Sequence, residues 1–187
     1  ARARAAAVRV VSHWRDLFPH EDVIAWLTKA VNDDHPRVRL EAVRAASWVN
    51  TSAAAEVALQ AVKHDRDYYI NYALEEVIRG LEPVWKSAIN SGETFAADNP
   101  AGIDYILGSI PTADLSKLPK SAPVYMAILT RPGIREQQRT EALAGLATEK
   151  NSNELAELTG AIEYVDGNDI AGANQVIFDL VLMLSRR

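Results

Sequence analysis

The chain has 187 residues and a formal net charge of −5; 48% of its residues are apolar, and it contains no cysteine. This length suits one domain or one compact repeat array with a sizeable core. The lack of cysteine excludes disulfides, thiolate metal sites and a cysteine nucleophile within these residues, and the acidic balance argues against nucleic acid as a partner. The longest apolar run near the end, residues 176–184, contains Asp179 and is too short to span a bilayer, so no membrane partner is expected.

Helices are predicted along the whole chain, because apolar residues recur every three or four positions and strand-like alternation is scarce. Val38, Ala42 and Ala46, for example, fall on one helix face. The pattern predicts helices over residues 2–15, 21–31, 37–50, 53–63, 68–80, 82–91, 100–108, 112–118, 122–130, 135–149, 152–165 and 171–185.

Several helix starts are marked by residues that favour the first turn. Pro36 follows an acidic turn, Asn99 precedes Pro100, and Asn151 with Glu154 three residues later resembles a capping box. The first seven residues, all Ala or Arg, are typical of a helix interior. We therefore interpret the sequence as a piece excised from a longer protein.

One helix sequence occurs four times. Residues 37–46 align with residues 2–11 at an offset of 35. Residues 38–46 align with 69–77 at an offset of 31, and residues 39–46 align with 139–146 at an offset of 100. In the copy at 37–46, an acidic turn precedes Val38-Arg39 and a helix of small residues. This pattern resembles the HEAT repeat. The resemblance implies an all-α fold, a right-handed α–α superhelix built as a HEAT-like α-solenoid of antiparallel helical hairpins.

The resemblance also suggests a domain organisation. Regular HEAT-like repeats are expected over residues 1–91, and further HEAT-like helices packing on the same array over residues 134–187. Five of the eight prolines fall between residues 100 and 132. Residues 92–133 are therefore expected to form a proline-rich, irregular helical segment.

Residues 54–86 and 95–102 are also similar to the HEAT-like segment of large bacterial proteins. In those proteins a β-propeller, dehydrogenase-like domain precedes the repeats and a haem-binding cytochrome c domain follows. This resemblance implies a spacer or docking role and a periplasmic or secreted location, and it brings no catalytic residue. The haem-attachment motif Cys-x-x-Cys-His is absent from the sequence, so no cofactor is expected in this segment.

Aromatic residues supply the candidate partner-binding site. Tyr68 and Tyr72 lie four residues apart on a predicted helix and share a face distinct from that of Tyr69. Tyrosine and tryptophan are favoured anchors at binding surfaces, so Tyr68, Tyr72 and Trp85 are predicted to contact a protein partner. The alternative is that the tryptophans fill space between repeats.

Two interpretations of the repeated arginines are open. In the first, the arginines pair with turn aspartates of the same or an adjacent repeat, in a structural ladder that holds the repeats in register. The residues assigned to this ladder are Asp33, Asp34, Arg37, Arg39 and Arg139. In the second, the arginines form a basic strip that follows phosphates, as in HEAT-like DNA glycosylases. Residues 1–90 contain 12 basic and 12 acidic residues, which favours the structural ladder.

Neither a metal site nor an active site is predicted. His13 and His20 are separated by Pro19, and no carboxylate lies at a ligand spacing from them. Residues 166–169 have the oxygen-rich composition of a calcium loop but lack the ligand spacing of an EF-hand, and a turn explains them better. No Gly-rich phosphate loop or Gly-x-Ser-x-Gly motif occurs, so no catalytic residue is assigned.

The sequence thus predicts a non-catalytic protein-interaction or scaffold module. Its partner would be a protein, either flanking domains or a separate chain. The alternative is a HEAT-like nucleic-acid-binding enzyme of the DNA glycosylase type. The oligomeric state does not follow from the sequence.

Overall fold

The computed structural model describes residues 1–91, 93, 95–168, 170 and 172–186. Over these residues the secondary structure consists of α-helices, two short 3₁₀ turns and connecting loops, with no β-strand. The prediction of an all-α, HEAT-like fold is confirmed.

The chain divides into two compact units, residues 1–106 and residues 107–187. We call them unit 1 and unit 2. The three-segment organisation suggested by the prolines stays a prediction.

Unit 1 is built from consecutive helices of 8 to 13 residues. They are α1 (Arg2–Trp14), α2 (His20–Val31), α3 (Pro36–Ala46), α4 (Ser52–Leu59), α5 (Tyr68–Gly80), α6 (Glu82–Ser91) and α7 (Pro100–Ser109), whose end crosses into unit 2. Two 3₁₀ turns, Arg15–Leu17 and Gln60–Lys63, follow α1 and α4.

These helices pack in two layers. α1, α3 and α5 lie side by side in one layer, and α2, α4 and α6 form the other. Since α2 packs on α3 and α4 packs on α5, each short turn closes a helical hairpin. Alanine at buried positions, such as Ala42, Ala46 and Ala58, lets neighbouring helices approach closely.

The predicted start of α7 is confirmed. The Asn99 side-chain oxygen accepts the Gly102 N–H at 3.1 Å, which satisfies a free donor of the first turn. The Asn99 amide also donates to the Leu59 carbonyl at 3.0 Å and so ties α7 to the end of α4.

Unit 2 continues as helices packed on their chain neighbours. They are α8 (Thr112–Leu115), α9 (Ala122–Thr130), α10 (Glu136–Glu149), α11 (Glu154–Gly167) and α12 (Ala173–Ser185). α10 packs on both α9 and α11, and α11 packs on α12. α9 and α10 meet at Gly145, where a Cβ atom would stand only 2.3 Å from the Tyr125 ring.

Several predicted helix bounds differ from the structure by two to four residues, and two of them have a clear local cause. α3 stops at Ala46 rather than at residue 50, and Asn50 adopts a left-handed conformation with φ 45°. α11 begins at Glu154, because Asn153 and not Asn151 caps it by accepting the Ala156 N–H at 2.8 Å. Asn151 has φ 51°, whereas an N-cap residue needs an extended backbone.

Candidate interaction surface

Three tyrosines project from the first two turns of α5. Tyr68, Tyr69 and Tyr72 are 75%, 67% and 59% exposed. The rings of Tyr68 and Tyr72 stack with centroids 6.4 Å apart, and the ring of Tyr69 meets that of Tyr68 edge-on at 5.6 Å. We call these three residues the tyrosine cluster.

The backbone under the tyrosine cluster is firmly anchored. The Asp67 carboxylate caps α5 by accepting the Ile70 N–H at 2.9 Å. The opposite face of α5 is buried in the core of unit 1 through Ile70, Ala73, Leu74, Val77 and Ile78. The sequence places Tyr69 on the face of Ala73, yet the structure buries Ala73 and exposes Tyr69.

A groove of about 420 Å³ lies beside the tyrosine cluster, between the starts of α3 and α5. Tyr69 and Asp67 line it from α5, and His35, Arg37 and Glu41 line it from α3 and its preceding turn. The surface therefore combines exposed aromatic rings with a polar, concave border.

Trp85 does not belong to this surface. Its side chain is 2% exposed, and its indole N–H donates to the Ile78 carbonyl at 2.9 Å inside unit 1. The structure thus corrects the expectation that Trp85 contacts a partner: the residue packs α6 against α5. Leu81, Trp85 and Ala88 form one buried stripe at spacings of four and three, and this periodicity is the signal that would have placed Trp85 in the core.

Arg39 lies among the turns of successive hairpins. It is 7% exposed, and its guanidinium donates to the carbonyls of Asp33 and Asp34 in its own hairpin turn, at 2.9 and 3.0 Å. It also donates to the Asp65 carbonyl, in the turn of the next hairpin, at 2.9 Å. The acceptors are backbone carbonyls rather than the carboxylates that a ladder of ion pairs would use.

Carboxylates pair instead with arginines of α1. Arg4 binds the Asp33 carboxylate with two hydrogen bonds of 2.6 and 2.9 Å, and these hold the pKa of Asp33 down at about 2. Arg9 binds Glu41 at 2.5 Å. Arg37, by contrast, is exposed at the rim of the groove.

Several arginines of the same helix layer are paired with carboxylates. Besides the pairs of Arg4 and Arg9, Arg44 lies 3.9 Å from Glu41, and Arg79 binds both Glu75 and Glu76 at 2.8 Å. Phosphate-tracking surfaces need arginines whose charge is not already matched. The paired arginines of this layer are therefore less available to phosphates.

Arg139, one hundred positions after Arg39, is buried within unit 2. It is 1% exposed, donates to the Arg131 carbonyl at 2.9 Å and lies 3.4 Å from the Asp179 carboxylate. Burial lowers its pKa from the usual value, and Asp179 partly opposes that shift. Arg131 donates in turn to the carbonyls of Leu107 and Ile110.

The described residues contain no group of three or more His, Asp or Glu side chains arranged to hold a metal ion. Of the residues considered for a calcium loop, Asp169 lies outside the part of the chain that the structure describes. No described helix is both long and apolar enough to cross a bilayer.

The first half of the chain also carries a family signature. Residues 1–79 match the family model for HEAT repeats. This HEAT-repeat segment runs from α1 to the last turn of α5 and so contains both the tyrosine cluster and Arg39. HEAT repeats generally act as scaffolds for protein–protein interaction and are generally not catalytic. Comparisons with curated proteins and with solved structures find no match to the chain.

Proposed function

We propose that the chain is a non-catalytic interaction module that binds a partner protein through the tyrosine cluster on α5. The observation that carries this proposal is the exposure of three neighbouring aromatic rings, each more than half exposed, on a helix whose other face is core. Tyrosine anchors contribute apolar contact area and a hydroxyl at low cost in side-chain entropy.

Preorganisation supports the proposal. The rings of Tyr68 and Tyr72 are already stacked, and the Asp67 cap fixes the turn that carries them. A partner would therefore order few side chains on binding, which lowers the entropic cost of association. The groove next to Tyr69 offers room for one protruding side chain of the partner, with Arg37 at its rim.

The similarity of residues 54–86 and 95–102 to the HEAT-like segment of large bacterial redox proteins extends the proposal to a setting within such a protein. In that form the module is a spacer or docking domain of a larger bacterial redox protein, and it holds a dehydrogenase-like domain against a cytochrome domain. An antibody to this chain, used to isolate the native protein for intact mass and haem staining, tests this. A large haem-positive protein is expected; a haem-free protein near 20.5 kDa would reject the redox setting while leaving the interaction module intact.

The binding surface itself is tested by photo-cross-linking followed by affinity measurement. A benzophenone side chain is introduced either at position 72, in the tyrosine cluster, or at position 48 as a control. Trp48 lies in the turn after α3 and is about as exposed as Tyr72. We expect a defined cross-linked partner from position 72 and not from position 48.

The cross-linked partner is then produced alone and titrated against variants of the chain. The double substitution Tyr68→Ala and Tyr72→Ala should weaken binding at least tenfold, because hot-spot aromatics each contribute more than about 1 kcal/mol. Trp48→Ala is the matched control for loss of an exposed aromatic ring and should leave affinity unchanged. Equal affinities for the double variant and the parent would refute the tyrosine cluster as the binding site.

A further inference from the structure

A small cavity of unit 2 lies between the start of α10 and the second half of α12. Its volume is about 220 Å³. One cationic side chain, two carboxylates and three apolar side chains surround it. They are Glu136 and Arg139 of α10, Ile134 just before α10, and Asp179, Leu182 and Met183 of α12. The cavity therefore combines both signs of charge with an apolar wall.

Arg139 lines this cavity with donors that the protein does not satisfy. The residue is 1% exposed, and its Nη2 atom donates to the Arg131 carbonyl at 2.9 Å. Its Nε and Nη1 atoms are buried and have no hydrogen-bond partner among the described residues. A buried donor without an acceptor costs free energy, and a charged donor costs more than a neutral one. A ligand with an acceptor group for this guanidinium would recover that cost.

Asp179 decides which kind of acceptor fits. Its carboxylate lies 3.4 Å from Nη2 of Arg139 and accepts a hydrogen bond from Gln175 at 2.8 Å. A simple anion bound to Arg139 would stand next to this carboxylate, and the two like charges would repel. The other carboxylate of the cavity, Glu136, is paired with Arg186. Asp179 therefore favours a ligand that carries a positive group beside its negative one.

We propose that this cavity binds a free α-amino acid with an aliphatic side chain. The ligand carboxylate would accept hydrogen bonds from Arg139, and its ammonium group would bind Asp179. Its side chain would pack against the apolar wall of the cavity. An α-amino acid carries both charged groups on one carbon, which suits an arginine and an aspartate that are themselves 3.4 Å apart.

Size and access support this class of ligand. Pockets for drug-sized ligands measure about 300–1,000 Å³, so a cavity of about 220 Å³ suits one amino acid better than a nucleotide or a peptide. Because Arg139 itself is nearly inaccessible, the ligand would enter by displacing Leu182, which is 38% exposed. No residue of the tyrosine cluster takes part, so this inference is independent of the proposed function.

The test is an NMR titration of the isotope-labelled chain that follows the Nε–H resonance of Arg139. The probes are L-leucine, isocaproate, which lacks the ammonium group, and isoamylamine, which lacks the carboxylate. L-Leucine should shift the resonance with a saturable dependence on concentration. Each of the other two should bind about tenfold more weakly or worse, because each leaves one charged group of the cavity without its partner.

Variants assign the binding to the cavity. Arg139→Met and Leu182→Trp should each abolish leucine binding, measured by calorimetry, because the first removes the donors and the second fills the entrance. Arg2→Met, at an exposed arginine of α1, is the matched control and should bind leucine as the parent does. Asp179→Asn should reverse the preference, so that isocaproate binds better than leucine. Circular dichroism shows which variants fold, and Leu182→Trp and Asp179→Asn keep the test decisive if Arg139→Met does not.

Two groups of results would overturn the proposal. If L-leucine leaves the Arg139 resonance unmoved, or binds equally well to the folded Leu182→Trp variant, the cavity is not an amino-acid site. If isocaproate matches leucine in the parent chain, or if Asp179→Asn does not reverse the preference, then Asp179 does not select a ligand with both charges.

Discussion

Each unit buries one arginine, and the two arginines are held differently. Arg39 in unit 1 donates to three backbone carbonyls and connects two successive turns. Arg139 in unit 2 donates to one carbonyl and faces the Asp179 carboxylate at 3.4 Å. The buried Nε atoms of both arginines, and also Nη1 of Arg139, have no hydrogen-bond partner among the described residues.

The two arginines differ in how completely their buried donors are satisfied. Neutral carbonyls of two turns converge on Arg39, so this side chain links two successive hairpins of unit 1. In unit 2 the partner of Arg139 is a charged side chain on α12, at a distance that leaves much of the guanidinium unsatisfied. A buried donor without a partner costs free energy, so the arginine contributes less net stability in unit 2.

The largest expected effect comes from replacing Arg39, with the same replacement of Arg139 as the comparison. Arg39→Met should lower the free energy of unfolding by about 3 kcal/mol, because three turn carbonyls lose a charged donor. Arg139→Met should cost about 1 kcal/mol or less, since methionine removes a partly unsatisfied buried charge. Urea unfolding followed by circular dichroism measures both, and equal losses would contradict the difference between the units.

A smaller effect is expected where α9 and α10 meet in unit 2. Gly145→Ala would place a Cβ atom 2.3 Å from the Tyr125 ring, and the resulting shift should destabilise unit 2 by about 2 kcal/mol. The control is Gly160→Ala on α11, where nothing lies within 4 Å of the added atom. That substitution should be neutral or stabilise by up to about 1 kcal/mol, through helix propensity. A neutral Gly145→Ala would mean that α9 can move away from α10 freely.

The smallest expected effect is on the pH dependence of the stability of unit 1. The pKa of Asp33 is about 2 in the folded chain, because Arg4 binds its carboxylate, against an ordinary value of 3.8. Because this pKa is lowered by folding, the ionised Asp33 stabilises the folded chain at pH values above the ordinary pKa. That contribution disappears as the pH falls from about 4 to about 2.

Thermal unfolding at pH values between 5 and 2 checks this prediction, with Asp33→Asn as the variant. The variant should lose part of the acid sensitivity of unit 1. Acid sensitivity from Glu157 in unit 2 should remain, because Ser152 and Lys150 lower its pKa independently. If Asp33→Asn follows the parent at every pH, the Arg4–Asp33 pair does not contribute to folding.

Much of the fold could be predicted because its signals are local. Apolar spacing predicted every helix of the described chain to within a few residues, and Asn99 before Pro100 marked the start of α7. These features depend on residues within one or two turns of each other. The misplaced cap of α11 shows the limit, since Asn151 and Asn153 both suit a cap and backbone conformation decides between them.

The candidate surface was only partly predictable. Exposure of Tyr68 and Tyr72 agrees with helix periodicity, but exposure of Tyr69 does not, because Ala73 on the same helix face is buried. The pair of Arg9 and Glu41 joins residues 32 positions apart, and no local pattern indicates it. Arg39 binds backbone carbonyls, which every residue has, so residue types alone cannot identify its partners.

The positions of the tryptophans have a consequence for following these units in solution. Trp14, Trp26, Trp48 and Trp85 all belong to unit 1, whereas unit 2 contains tyrosine and phenylalanine as its aromatic residues. Of the four, Trp85 alone is fully buried. Indole emission therefore reports on unit 1 and not on unit 2, and its wavelength will respond chiefly to the hydration of Trp85. The chain thus carries an intrinsic fluorescent label for the half that contains the HEAT-repeat segment.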